Sequence, residues 1–170
     1  MTSDDIQSAL TKFDAAIATM KTCDAAWEAL RVLSQALVGG KLFTVMTVDW
    51  ENERAGRVFT SHPEEYPVSG TKPLHYDSWF DVVHKERKPF VANTIADIAK
   101  VFGDHELIWS LGCGSVVNLP IEIAGAMVGT VNLLDAEHFY TAERVAATEA
   151  LKLPAKTAYL ASFYFARSGA

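Results

Sequence analysis

Apolar residues recur every three or four positions at the start of the chain: Ile6, Leu10, Phe13, Ile17 and Met20. That spacing predicts a helix over 4–20, capped by Ser3 or Thr2, with Asp4 and Asp5 at its positive end. A second helix is expected over 24–38, with Trp27, Leu30, Leu33 and Leu37 on one face and Gly39-Gly40 ending it. The period then falls to two. LFTVMTVDW (42–50) and RVFTSH (57–62) predict a strand hairpin around the turn ENERAG. Residues 63–76 hold Pro63, Pro67, Gly70 and Pro73 and read as a loop or a broken edge segment. A helix is predicted over 77–87, with Asp77 near its start, and a short strand over 89–93. Residues 94–111 read as loop with one or two helical turns, stopped by Gly112 and Gly114. The stretch SVVNLPIEIAGAMVGTVNLLD (115–135) is two strands joined at Ala124-Gly125. Thr141 caps a last helix that Pro154 is expected to kink or restart, because proline removes an interior helix bond.

Hairpins at both ends of the strand set, with helices between and at the termini, point to an α+β fold around a largely antiparallel sheet. Terminal helices are expected on one face of that sheet, and central helices and loops over the other. At 170 residues, with 49% hydrophobic and 21% charged residues and no repeat or linker, the chain reads as a single domain, 1–170. The net charge of −6 and scattered basic residues argue against a nucleic-acid or anionic-membrane partner. No run of about 18 apolar residues is present. The N-terminus lacks a secretory pattern, and two cysteines make no disulfide framework, so a cytoplasmic location is expected.

Two asparagines interrupt the apolar strands of 115–135: Asn118 and Asn132. A buried amide without partners costs about 1–3 kcal/mol, so each must face something polar. A two-residue turn at Ala124-Gly125 pairs Asn118 with Val131 and sends Asn132 to the opposite face. A three-residue turn centred on Gly125 would pair the two amides directly. Two-residue hairpin loops are the commonest, so the first register is expected, with Asn118 toward a binding site.

LFTVMTVDW…GRVFTSH, WFDVVHKERKPFVANTIADI and SVVNLPIEIAGAMVGTVNLLD together resemble a GAF domain, over roughly residues 24–165. The first matches the opening hairpin. The second is similar to the family's helix followed by a strand that begins at a Pro-hydrophobic pair. The third looks like the closing hairpin, with Gly129 opening the last strand. The resemblance implies a small-molecule sensing fold, with a ligand held between one sheet face and the central loops, and dimers formed through terminal helices. With no fused second domain expected, output is expected to pass to a separate signalling protein or to be chemistry at the site itself.

In that arrangement Phe59, Tyr66, His75, Tyr76, Trp79, Trp109, Cys113, Ser115 and Asn118 are the candidate ligand-binding residues, aromatic walls with a few aimed polar groups. They suit a planar or heteroatom-bearing metabolite. No catalytic residue, metal ligand or cofactor is assigned: His62, His75, His105 and Cys113 lack metal-ligand spacing. Two alternatives stand beside the sensor reading. One is a reductase of the free methionine sulfoxide type using Cys113; FGDHELIWSLGCGS lacks the second thiol that it requires after His105. The other is a pure dimerisation or interaction module. Ile6, Leu10, Phe13, Ile17 and Met20, with Tyr159, Leu160, Phe163, Tyr164 and Phe165, exceed what one sheet face needs for cover, so a homodimer through the terminal helices, 1–22 included, is expected.

Overall fold

A computed structural model describes residues 2–68 and 70–168. In chain order the elements are α1 (Ser3–Thr19), α2 (Cys23–Leu37), β1 (Leu42–Asp49), β2 (Arg54–Thr60), β3 (Thr71–Pro73) and α3 (Ser78–Phe80), which continues as a π-helical turn, Asp81–Lys85. Then follow β4 (Phe90–Ala92), α4 (Ile95–Ala99), α5 (His105–Ser110), β5 (Ser115–Ile123), β6 (Ala126–Asp135), α6 (Ala142–Ala147), a 3-10 turn (Thr148–Leu151) and α7 (Lys152–Ser168). The fold class is α+β. The chain divides into two compact units, one helical (to Gly39 and from Ala147) and one built on the sheet (Gly40–Ala146).

In the helical unit, Thr2 caps α1: its hydroxyl accepts from the Asp5 amide, and the Asp5 carboxylate accepts from the Thr2 amide. Thr22 caps α2 from one side only, accepting from the Ala25 amide. Trp27 and Tyr159 meet edge to face at 4.9 Å, and both are buried. Phe13 and Tyr159, expected on a dimer patch, are therefore part of this unit's own core. Leu153, Leu160, Phe163 and Tyr164 on α7 remain exposed. The break in the last helix is the 3-10 turn Thr148–Leu151, with Pro154 in the first turn of α7, where a missing N–H costs no helix bond.

The sheet unit holds six strands in the order β3-β2-β1-β6-β5-β4, every pair antiparallel. β2 begins at Arg54, so the turn is shorter than ENERAG. Edge strand β3 forms inside the proline-rich 63–76 segment. Gly56 pairs with Thr71 and lets the strand pass close: a Cβ there would lie 2.8 Å from the Gly70 carbonyl oxygen.

Two bulges set which residues share a face. The β5–β6 turn has two residues, since Ile123 pairs with Ala126 and Glu122 with Met127. Ile121 then pairs with Gly129, so Val128 is extra, and every pair beyond moves by one. Asn118 therefore faces Asn132, not Val131, and both amides lie on one face. In β1–β2, Val45 pairs with Phe59 but Met46 with Arg57, leaving Val58 extra. Arg57 and Phe59 thus project to opposite faces despite their spacing of two.

The β5–β6 turn places Ala124 at φ 51° and Gly125 at φ 81°, both left-handed. This is the hairpin turn that favours Asn-Gly. Ala124→Asn is expected to raise the unfolding free energy by about 1 kcal/mol, read by urea denaturation, because asparagine tolerates the left-handed region better than alanine.

Candidate functional site

A cavity of about 560 Å³ lies within the sheet unit. Its floor is one face of the sheet and its walls come from the 66–80 segment and from α5 with the residues before it. Most of the lining is apolar: Met46, Val48, Phe80, Phe102, Ile108, Val116 and Leu134 among others.

Across the floor runs a polar row. Thr44, Asn132 and Asn118 are direct partners on β1, β6 and β5. Trp79 Nε1 donates to Asn118 Oδ1 at 2.9 Å. Asn118 Nδ2 donates to Asn132 Oδ1 at 2.7 Å, and Asn132 Nδ2 to Thr44 Oγ1 at 3.1 Å. An indole nitrogen can only donate. Asn118 must therefore turn its oxygen to Trp79 and its nitrogen to Asn132, which fixes Asn132 and then Thr44 in turn. Trp79 is held there by a short capped segment: the Asp77 carboxylate accepts from the Phe80 amide, and the π-turn follows. Inserted π-turns re-aim side chains and are frequent at functional sites. Phe80 is braced behind the cavity wall by His84 at 4.6 Å, and His84 by Trp50 at 4.3 Å. Burial, then the charges of Arg87 and Lys85, push the His84 pKa down, so the stack holds a neutral imidazole at neutral pH.

A second polar group stands in another part of the lining. The Arg57 guanidinium sits 3.7 Å above the Tyr66 ring and donates through Nη1 to the Pro67 carbonyl at 2.7 Å. Its Nη2 lies 3.9 Å from Asp104 Oδ2, which also accepts from the Tyr66 hydroxyl at 2.6 Å. Burial, and then that bond to Asp104, raise the Tyr66 pKa far above its ordinary value, so the phenol stays protonated. Arg57 Nε is buried with no hydrogen-bond partner. Among the described residues no three His, Cys, Asp or Glu side chains gather as a metal site.

No protein-family model matches the sequence, and no curated protein matches it. Solved structures do. The GAF domain of an Acinetobacter phosphoenolpyruvate-protein phosphotransferase aligns over 100% of both chains with TM-score 0.70 at 10% identity. The phycoerythrobilin-bound GAF domain of a cyanobacterial phytochrome aligns over 96% of this chain and 98% of its own, TM-score 0.68, 13% identity. The GAF domain of a Bacillus halodurans two-component sensor histidine kinase aligns over 83% and 96%, TM-score 0.66, 14% identity. This chain has the GAF fold.

On that GAF fold the nine residues picked from the sequence fall into two groups. Tyr66, His75, Trp79 and Asn118 line the cavity. The other five lie outside its lining. Phe59 is turned to the opposite sheet face by the Val58 bulge, where its ring meets Phe43 at 6.0 Å. Tyr76 is exposed and gives its hydroxyl to Glu53. Trp109 is exposed on α5. Ser115 is buried and donates to the Ala136 carbonyl at 2.7 Å. Cys113 is buried in a cluster with Leu42, Ile98, Ile108 and Val116, and burial raises its pKa to about 11. It is a thiol at neutral pH, not the thiolate that a reductase would use. Cys23, the other cysteine, lies on α2 in the helical unit and points its thiol at the Ser162 carbonyl.

Thr44, Arg57, Asp104 and Asn132 line the cavity and are absent from those nine. Thr44 alternates with Met46 and Val48 on β1, a signal visible in the sequence once the facing residue is known. The other three depend on bulges or on loop packing.

Trp79→Phe keeps an aromatic wall but removes the donor. It is expected to cost about 1–3 kcal/mol in urea unfolding, because Asn118 Oδ1 stays buried and loses its partner. Unchanged stability would mean that the indole bond does not order the row.

Proposed function

We propose that this GAF domain is a non-catalytic sensor that encloses a small metabolite in the sheet-unit cavity and signals to a separate protein. One observation carries the reading: an apolar hollow of about 560 Å³, large enough for a small molecule, over a floor of ordered hydrogen-bonding groups. The phycoerythrobilin bound by one similar GAF domain supports the view that the fold accommodates ligands. Buried Cys113, high in pKa, offers no nucleophile and speaks against the thiol chemistry considered from the sequence.

Binding has a route to a change in structure. Tyr66, His75 and Trp79 lie on the segment between β2 and the π-turn, and each lines the cavity. A ligand that prefers one arrangement of this segment shifts the population toward it. The segment's outer surface, with exposed Val68 and Tyr76, would then be what a partner reads. The reading takes the chain as cytoplasmic; among the described residues no helix is long and apolar enough to cross a membrane.

The same reading includes a homodimer formed through α1 and α7. Leu153, Leu160 and Tyr164 are exposed and follow the seam spacing of paired helices along α7, and Ile6 is exposed on α1.

A metabolite library screened by thermal shift tests the sensor. A true ligand at 100-fold its Kd adds about 2.7 kcal/mol, or roughly 5–10 °C for a chain of this size. A library with no upshift from any member counts against the reading. Light scattering tests the dimer: deletion of residues 1–20 is expected to halve the mass, and a full chain that runs as a monomer, or a dimer that survives the deletion, rejects it.

A further inference from the structure

Asn118, Asn132 and Thr44 use only part of their bonding capacity within the floor row. A carboxamide has two acceptor sites and two N–H groups. The row takes one of each from Asn118: the oxygen accepts from Trp79 and the nitrogen donates to Asn132. It takes one of each from Asn132, which accepts from Asn118 and donates to Thr44. Each amide keeps one lone pair and one N–H. Thr44 accepts from Asn132, so its own hydroxyl proton is directed elsewhere. All three residues line the cavity, so the unused capacity along its floor is of both kinds, acceptor and donor.

The charges of the lining say what kind of group meets that floor. Arg57 and Lys72 stand against Asp77 and Asp104, two of each sign. No excess charge is available to offset a buried ion, and an unpaired buried ion is costly. A carboxylate brings acceptors only and an ammonium donors only, so either would set like groups against half of the floor. An uncharged amide brings a carbonyl and an N–H together. Arg57 strengthens that balance: its Nη2 lies 3.9 Å from Asp104 Oδ2, so the guanidinium charge is already met within the lining.

We infer that the ligand of this cavity is an uncharged molecule with an apolar body and a carboxamide or lactam group, selected by the Asn118–Asn132–Thr44 row over charged molecules of the same shape. The inference rests on the sensor reading and narrows it to a ligand class.

Matched probes test it. Benzamide, benzoate and benzylamine share one ring and differ in the polar group; toluene carries none. Saturation-transfer NMR and titration of the full chain with the four are expected to place benzamide at least tenfold tighter than benzoate or benzylamine. In Asn118→Leu, verified as folded by circular dichroism, benzamide is expected to fall to the affinity of toluene. If that variant does not fold, Thr44→Val serves in its place and is expected to narrow the benzamide preference. Benzoate or benzylamine binding as tightly as benzamide overturns the inference and leaves the sensor standing. Toluene binding with benzamide no tighter does the same. Failure of all four probes to bind overturns the inference, and the sensor is then judged by the thermal-shift library alone.

Discussion

The indole of Trp79 has one polar atom, and that atom can only donate. Everything ordered about the cavity floor follows from it. Left to themselves, two neighbouring carboxamides pair in either direction, since oxygen and nitrogen differ little in size and each amide can rotate by half a turn. The indole removes the choice at one end, and the fixed direction passes from Asn118 to Asn132 to Thr44. A row of four side chains from four separate segments then has a single arrangement, so the floor presents one pattern of donors and acceptors rather than an average of two. The polar cost of carrying amides on a mostly apolar sheet face is met within the row itself.

That row exists only because of a register that turn rules do not predict. The two-residue turn at Ala124-Gly125 is legible in the sequence, and it forms. Carried inward without interruption, it would have put Asn118 against Val131. Val128 bulges out, every later pair moves by one, and the amides come face to face. The Val58 bulge acts likewise on the other hairpin, sending Phe59 away from the cavity and leaving Arg57 in it. In both hairpins a single extra residue exchanges which side chains belong to the site. Bulges carry little sequence signal, because the residue left out can be an ordinary valine.

The split between what could and could not be read has the same cause. Hydrophobic period, caps and turn residues report local backbone preferences, and these gave the strands and longer helices to within a few residues and the antiparallel sheet. Trp79, Tyr66, His75 and Asn118 line the cavity because they are large or polar residues in segments that the fold alone places there. Gly112 and Gly114 flank Cys113 and locally favour an accessible thiol; packing against Leu42, Ile98 and Ile108 overrides that freedom. Asp104 begins α5 and looks like an ordinary cap, yet makes no side-chain bond to the helix. It is spent on Tyr66 and Arg57 instead, a use that only the packing of two distant loops reveals.

A self-satisfied polar row is not by itself evidence of a ligand, since a core can hold one for the sake of register. One feature separates this row from such a core. A structural network in a filled interior is covered by tightly packed side chains, because a void forfeits contacts on every wall. Here about 560 Å³ lies over the row. The row is ordered and the space above it is unfilled, and on that combination the proposed sensor role is built.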